Sequence, residues 1–523
     1  TYDAGNRITQ VQEKDAGGAV PDTITRTYDG LDRLTQEVTA QGTVNYTYDN
    51  ASRRATMTVV GQTAVTYTYD NANRLTQVQQ GTSTVTLAYD NADRRTSLTL
   101  PNSNSVTSAY NAASELTSLT YKKGVTVLGD LTYTYDAAGN RTKVGGAFAR
   151  TTIPPALSTV SYNANNQQTT FGTNTETYDL NGNLNTVTDA GVTATYTWNA
   201  RNQLAGISTT GFAASFAYDS FGRRTDRTVQ GVVTNYVYDG LNPVQEKAGA
   251  TVTANLLTGL GIDEFFTRTD GVGTRALLPD ALGSTVALGD NTGTLQTQYT
   301  YEPFGYATQT GQANTNSYKY TRREDDGSGL YYYRARYYHP RLQRFIAEDP
   351  IGFGGGMNFY DYVTANPMNR IDPLGLTSLV FDPGSGTLLI DPEVKGRSPY
   401  AIPASTGKPN CGCDASDPNR GPIPSGNYFI DTTKLSQLGF WQTLKRNRPF
   451  GGGGDWGNWN APLTPTATTN TFGRGGFYIH GGVLPGSAGC IDVGGGLFGN
   501  DMTRQLLRDI MADPDKNVPV TVR

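Results

Sequence analysis

The sequence predicts a mainly β protein in two parts: a long series of stacked hairpins, then a smaller, mostly β domain. Three observations lead there. Aromatic residues are weighted to Tyr, 32 against 18 Phe, with abundant Thr and 61 Gly; Tyr and Thr suit half-buried strands and Gly suits turns. A short unit recurs along the first part of the chain. Beyond Leu376 that unit fades, the composition becomes rich in Gly and Pro, and all three cysteines appear there: Cys411, Cys413 and Cys490.

The repeat is Tyr-Asp followed by a turn and an Arg, as in Tyr28-Asp29 with Arg33, Tyr48-Asp49 with Arg53, Tyr69-Asp70 with Arg74, and Tyr89-Asp90 with Arg94. Later copies are Tyr135-Asp136 with Arg141, Tyr218-Asp219 with Arg223, and Tyr238-Asp239; Tyr110-Asn111 and Trp198-Asn199 are degenerate. Alternation before each copy, as in Thr66-Tyr67-Thr68-Tyr69, has the period of a strand. The Asp is placed to bond backbone N–H groups of the turn, and the Arg opens the return strand. One hairpin cannot bury its own face, but stacked hairpins can, giving a long continuous sheet.

After the repeats come Asp280-Ala281-Leu282-Gly283-Ser284, Tyr301-Glu302-Pro303-Phe304-Gly305 and the aromatic run Tyr331-Tyr332-Tyr333-Arg334-Ala335-Arg336-Tyr337-Tyr338. Arg344-Phe345-Ile346-Ala347-Glu348-Asp349-Pro350-Ile351-Gly352 and Asp372-Pro373-Leu374-Gly375-Leu376 follow. By pattern alone the two Asp-Pro motifs read as β-turns. Two carboxylates brought together can instead share a proton, one acting as base on water and the other as acid. The repeats and this block together resemble the Rhs/YD-repeat family, whose repeats wind into a hollow β-shell, a cocoon of stacked hairpins that ends in a variable toxin. The resemblance implies a YD-repeat shell over residues 1–270, an Rhs-associated core with an autoproteolytic aspartyl site over 271–376, and a toxin domain over 377–523. It also implies that Asp349 and Asp372 cut the Leu376–Thr377 bond and that the shell encloses the freed toxin. Thr1-Tyr2-Asp3 begins inside a repeat, so the chain reads as part of a longer protein.

In the last part, Val380-Phe381 and Thr387–Ile390 read as a hairpin, Tyr428–Ile430 and Gly476–Ile479 as core strands, and Val518–Val522 as a terminal strand at an edge or starting after Pro519. Asp501 caps a helix with Met502, Leu506, Leu507, Ile510 and Met511 on one face, and Gly451–Gly454 with Trp456 and Trp459 reads as a loop. The chemistry centres on Ile479-His480-Gly481-Gly482 and Ser487-Ala488-Gly489-Cys490-Ile491. A thiol, an imidazole to deprotonate it and N–H groups facing an oxyanion are what cysteine acyl transfer needs. Taken alone, Cys490 reads equally as a small buried hydrophobe and His480 as a structural residue. The segment resembles the active-site motif of L,D-transpeptidases, most closely the compact effector form. Ala488 and Asp492 stand where the housekeeping enzymes carry other residues.

That resemblance implies Cys490 as nucleophile, His480 as base, N–H groups at Gly489 and Cys490 for the oxyanion, and Ser487 shaping the turn. Gly481 lies beside the substrate, and Arg474 is a weaker candidate for a substrate carboxylate. The substrate implied is a peptidoglycan stem peptide, cut as an L,D-carboxypeptidase or exchanged as an L,D-transpeptidase. No cofactor and no metal are implied: Cys411-Gly412-Cys413 lacks a second ligand pair. Residues 377–523 carry 13 Lys and Arg against 12 Asp and Glu, which disfavours a nucleic-acid partner. No apolar run approaches the ~18 residues of a membrane span. The expected partners are stem peptides, an immunity protein and a secretion apparatus such as a type VI spike. The protein is expected to be made in the producer cytoplasm and delivered to a target periplasm. Two further readings stay open: a carbohydrate-binding surface protein with a vestigial tail, and a papain-like cysteine protease toxin.

Overall fold

The computed structural model describes residues 1–350 and 358–376, apart from 5–6, 15–21, 138 and 158. Beyond 376 it describes nine strands together with Ile423, Leu506 and Ile510. The chain forms two compact units. One comprises Val11–Asp349 and Phe359–Gly375; the other comprises Thr1–Gln10, Pro350–Asn358 and Leu376–Arg523.

In the first unit a 13-stranded sheet runs from Gln10–Glu13 to Arg141–Gly145, and a 16-stranded sheet from Val160–Tyr162 to Ala307–Gly311. Each strand pairs with the next in sequence, as stacked hairpins require. The predicted single sheet is therefore two. The ladder stops after Gly145, in a stretch that contains Pro154 and Pro155, which have no N–H to donate.

The repeat chemistry explains the ladder. Asp70 Oδ1 accepts bonds from the N–H groups of Ala72 and Arg74, both at 2.9 Å, and its Oδ2 accepts from Arg74 Nε at 2.7 Å. Asn73 takes the left-handed conformation at φ +64°, which Asn tolerates better than most residues. A bulge between Thr68 and Tyr69 re-aims the ring. The Tyr69 hydroxyl then donates to the Arg54 carbonyl at 2.9 Å, tying the ends of adjacent strands. Arg74 reaches the next turn, donating to the Asp90 carbonyl at 3.0 Å, while its guanidinium lies 5.1 Å from the Tyr89 ring centre. Each unit thus closes its own turn and braces its neighbour. The same spacing exposes copies that the Tyr-Asp-Arg pattern misses, among them Asp179, which accepts from Asn181 and Asn183, and Asn163, which accepts from Asn165 and Gln167.

Alternation sets the core. Buried Val65 and Tyr67 flank exposed Thr66. The inward faces of both sheets meet in one apolar cluster, in which Val44, Met57, Val78 and Leu98 join Val237, Leu257, Phe266 and Leu278. A short four-stranded sheet, Glu324–Asp325, Tyr331–Tyr333, Arg336–His339 and Arg344–Phe345, carries the aromatic run. It is anchored to the 16-stranded sheet by Arg224, fully buried, which pairs with Glu324 at 2.5 Å and with Asp326. Removing one partner of such a cluster strands a buried charge. Tyr331, Tyr333, Tyr338 and Phe345 of this sheet pack with Tyr320 and Tyr362.

Glu176, on the strand Asn174–Tyr178, is only 5% exposed. Burial pushes its carboxyl from 4.5 up to about 7, against the opposing pull of Arg344. The folded state therefore holds the proton more tightly than the unfolded chain. Its contribution to stability is full below pH 4.5 and is lost as pH rises to about 7. Glu176→Gln removes that loss. Urea unfolding at pH 8 is expected to show the variant more stable than the parent by at most about 3 kcal/mol, with the gap closing at pH 4.5. An equal gap at both pH values would mean the carboxyl does not titrate as stated.

In the second unit the strands order as Tyr400–Pro403, Thr387–Ile390, Leu379–Asp382, Asn517–Val522, Gly426–Asp431, Trp459–Pro465, Phe477–Gly482 and Ile491–Gly495, with Ser436–Gln437 beside Trp459–Pro465. The predicted hairpin of Leu379–Asp382 and Thr387–Ile390 is present, as are both core strands. The terminal strand departs from expectation. Asn517–Val522 is internal, parallel to Leu379–Asp382 and antiparallel to Gly426–Asp431, with Pro519 opposite Phe429. Trp459 opens a strand rather than lying in a loop. Leu506 and Ile510 are helical and buried, as the predicted apolar face requires; the remaining predicted helix residues and Gly451–Trp456 lie outside the described residues. Among the described residues no helix is long and apolar enough to cross a membrane.

Candidate functional site

Arg336 organises the site at the end of the first unit. It opens the strand Arg336–His339, directly after the tight turn at Arg334, whose φ is +61°. Its guanidinium stacks 3.6 Å from the Phe345 ring centre, which leaves its edge for polar partners. Nη2 lies 2.8 Å from Asp349 Oδ2 and 3.6 Å from Asp372 Oδ2. Two carboxylates 23 positions apart in sequence thus meet at one nitrogen. All three side chains are buried: Arg336 is 2% exposed, Asp349 6% and Asp372 2%.

The same guanidinium holds the backbone. Nε donates to the Gly375 carbonyl at 2.6 Å, and Nη1 to the Phe359 carbonyl at 3.0 Å. The Asp349 N–H also donates to Phe359, at 2.9 Å, so both carboxylates ride on one frame. Leu374 accepts from the Ala335 N–H at 3.1 Å. The Pro373 carbonyl accepts from Arg323 and from Arg334, and both of these arginines pair with Asp263. Gly375 sits at φ +67°, where a β-carbon would collide with the Tyr333 carbonyl oxygen, so glycine is required there. The carbonyls of Pro373, Leu374 and Gly375 are therefore all held by partners from the 323–336 segment. Leu376, the next residue, is buried; Thr377 lies outside the described residues.

Sequence reasoning identified both aspartates and missed Arg336, Arg334 and Arg323. The signal was present: Arg334 and Arg336 interrupt the aromatic run Tyr331–Tyr338 and Arg323 precedes it, and buried guanidinium groups need anionic or carbonyl partners.

In the second unit His480 lies on the strand Phe477–Gly482 and is 1% exposed. Gly481 and Gly482 continue that strand, with a register irregularity between His480 and Gly482. Cys490, Gly489, Ser487 and Arg474 lie outside the described residues. The strand after Cys490 runs parallel to the His480 strand. Ile491, which follows Cys490 in sequence, pairs with Ile479, which precedes His480.

A family model described as Teneurin YD-shell matches residues 1–124 and 102–353. Toxin subunit YenC1 of Yersinia entomophaga is 36% identical over 129 residues, 23% of this chain and 13% of that protein. Toxin protein Tse5 of Pseudomonas aeruginosa is 36% identical over 98 residues, 18% of this chain and 7% of that protein. The chain thus spans a small fraction of each relative's length. The crystal structure of TcdB2-TccC3-TEV superposes with a TM-score of 0.50 at 18% identity, covering 70% of this chain and 24% of that one; this likeness concerns the fold alone. With well over half of its residues matched by the family model, and with hairpin ladders of the matching architecture, the chain belongs to the Teneurin YD-shell family as an Rhs/YD-repeat protein.

Proposed function

We propose that this is a polymorphic toxin precursor that cuts itself at the Leu376–Thr377 bond and so frees a peptidoglycan-directed cysteine enzyme. The observation that carries the first step is the meeting of Asp349 and Asp372 on Arg336, with the Gly375 carbonyl on the same guanidinium. One carboxylate takes a proton from water, whose oxygen attacks the Leu376 carbonyl carbon. The C–N bond breaks, and the other carboxylate delivers its proton to the Thr377 nitrogen. Arg336 holds both acids and the Gly375 carbonyl. A bond in the same chain as the dyad has a high effective concentration, so modest catalysis suffices for one turnover.

For the second step His480 takes the Cys490 proton, and the thiolate attacks the carbonyl carbon of the third stem-peptide residue. The peptide C–N bond breaks, His480 returns the proton to the departing D-alanine amine, and a thioester remains. Water or an amine then resolves it, and N–H groups at Gly489 and Cys490 face the oxyanion. Ser487 shapes the turn; Gly481 and Arg474 contact substrate. A buried His480 on a strand parallel to the one that follows Cys490 supports this reading. The toxin names of YenC1 and Tse5 support the toxin class. The partners are stem peptides, an immunity protein in the producer and a secretion apparatus that delivers the protein to a target periplasm. No cofactor takes part.

Mass spectrometry of stem peptides tests the chemistry. Cells that export the full chain to the periplasm are expected to lose tetrapeptide stems, gaining tripeptides if water resolves the thioester, or exchanged and cross-linked stems if an amine does. Unchanged stems in dying cells would overturn the substrate assignment.

A further inference from the structure

Two adjacent strands of the 16-stranded sheet, Phe265–Asp270 and Gly273–Pro279, form a hairpin in which Arg268 stands directly opposite Arg275. Residues so paired share a face, and like charges placed there destabilise a hairpin. The two arginines differ in their partners. Arg268 is 7% exposed and fully engaged. Its Nε and Nη2 donate to the two Glu246 oxygens at 3.2 and 2.6 Å, and its Nη1 donates to Asp270 Oδ2 at 2.7 Å and to Thr315 Oγ1 at 2.8 Å. Asp270 is engaged as well. Its Oδ2 also accepts from Thr315 Oγ1 at 2.7 Å, and its Oδ1 accepts from the turn N–H groups of Val272 and Gly273. Among the described residues Arg275 meets no carboxylate, and its side chain makes a single long hydrogen bond, from Nη1 to the Thr274 carbonyl at 3.5 Å.

Both arginines and Asp270 line a cavity of about 260 Å³, together with Asn314, Thr315 and Asn316. Its walls are braced. Asn314 Oδ1 accepts from the Tyr299 hydroxyl at 3.0 Å and from the Asn316 N–H at 2.9 Å, and Asn316 Nδ2 donates to the Tyr318 carbonyl at 3.0 Å. One acceptor is left over: Asn316 is 7% exposed, and its Oδ1 has no hydrogen-bond partner. Buried acceptors are rarely left so, because the lost bond to water is not replaced. An open guanidinium fork and an unmet amide oxygen therefore share one cavity.

We propose that this cavity binds a small hydroxy acid. The carboxylate takes the Arg275 fork, and the hydroxyl donates to Asn316 Oδ1, which a turn of the amide presents to the ligand. The walls set the charge. One guanidinium is open and Asp270 lines the same cavity, so a monoanion fits where a phosphate dianion is repelled. An ammonium in place of the hydroxyl would add a cation to a wall that already holds Arg268 and Arg275. The volume lies below the range of about 300–1,000 Å³ usual for drug-sized ligands, which limits the acid to a few carbons. The site is independent of self-cleavage and of the acyl-transfer reading.

Lactate, propionate and alanine differ only in the group beside the carboxylate: a hydroxyl, a hydrogen and an ammonium. Each is titrated into the full chain and followed by saturation-transfer NMR, with inorganic phosphate as a fourth probe. Lactate is expected to bind about 3- to 10-fold more tightly than propionate, the worth of one neutral hydrogen bond, and more tightly than alanine or phosphate. Arg275→Gln is expected to weaken lactate about 10-fold or more, the scale of a charged hydrogen bond. The fold should tolerate it, since it takes a like charge away from Arg268. Arg275→Lys keeps the charge without the fork and is expected to fall between the two. Asn316→Leu is expected to bring lactate down to the affinity of propionate. Lactate that does not saturate, phosphate that binds more tightly, propionate that equals lactate in the parent, or a lactate affinity unchanged in Arg275→Gln each overturns the assignment.

Discussion

Purified parent chain is expected to run as two fragments, residues 1–376 and 377–523, whereas Asp372→Asn and Asp349→Asn each leave one intact chain. The substitution is isosteric and keeps the contact with Arg336 Nη2, so the fold around the site survives while the acid–base function does not. Loss should be large within the time of a preparation, because either substitution removes one of the two acid–base groups that the step uses. Arg336 is a harder case. Its removal leaves two buried carboxylates facing each other, a defect on the scale of several kcal/mol. Arg336→Lys keeps the charge but loses the fork that spans Phe359, Gly375 and both acids. It is expected to slow cleavage strongly in a chain that still folds. Intact-mass spectrometry decides. A parent that is never cut, or an Asp372→Asn chain still cut after Leu376, removes the dyad assignment.

The contrast between what sequence showed and what it hid follows from range. The Tyr-Asp-x-x-x-Arg unit is legible because its bonds are local: Asp70 reaches Ala72 and Arg74, two and four residues away. The ladder between units is nearly as local, since each strand pairs with its neighbour in sequence. The break after Gly145 shows in the sequence only as Pro154 and Pro155, with repeats standing on either side of it. The copy at Tyr178-Asp179 escaped because Asn183 replaces the Arg while keeping the backbone bond to Asp179 Oδ1. Arg336 escaped for the opposite reason. Its partners lie 13, 23, 36 and 39 residues away at Asp349, Phe359, Asp372 and Gly375, and no periodicity encodes them. The position of Asn517–Val522 ran against a local rule, since a strand containing Pro519 is expected at an edge. Its two neighbours are supplied by strands from residues 379 and 426 onward, which local patterning cannot rank.

The second large effect expected is compartment-specific killing. A Cys–His nucleophile fails when either member is lost, typically by orders of magnitude in rate. Cys490→Ala and His480→Ala, placed in the chain carrying an export signal, are each expected to abolish toxicity. Cys411→Ala and Cys413→Ala are expected to leave it nearly unchanged, because neither lies beside the histidine in sequence or belongs to its motif. The substrate sets the compartment. Stem peptides are reached from the periplasm, so the parent chain without an export signal is expected to be harmless at the same expression level. The near balance of charge in residues 377–523 agrees, since a toxin acting on nucleic acid in the cytoplasm would profit from a basic surface. The readout is colony survival after induction in each compartment, with protein level and melting temperature matched between variants. His480 is buried, and His480→Gln serves as the better-packed companion to His480→Ala should the smaller residue destabilise the sheet. Equal killing from the cytoplasm, or full killing by Cys490→Ala, would mean that this chain poisons its target by a chemistry other than acyl transfer at the cell wall.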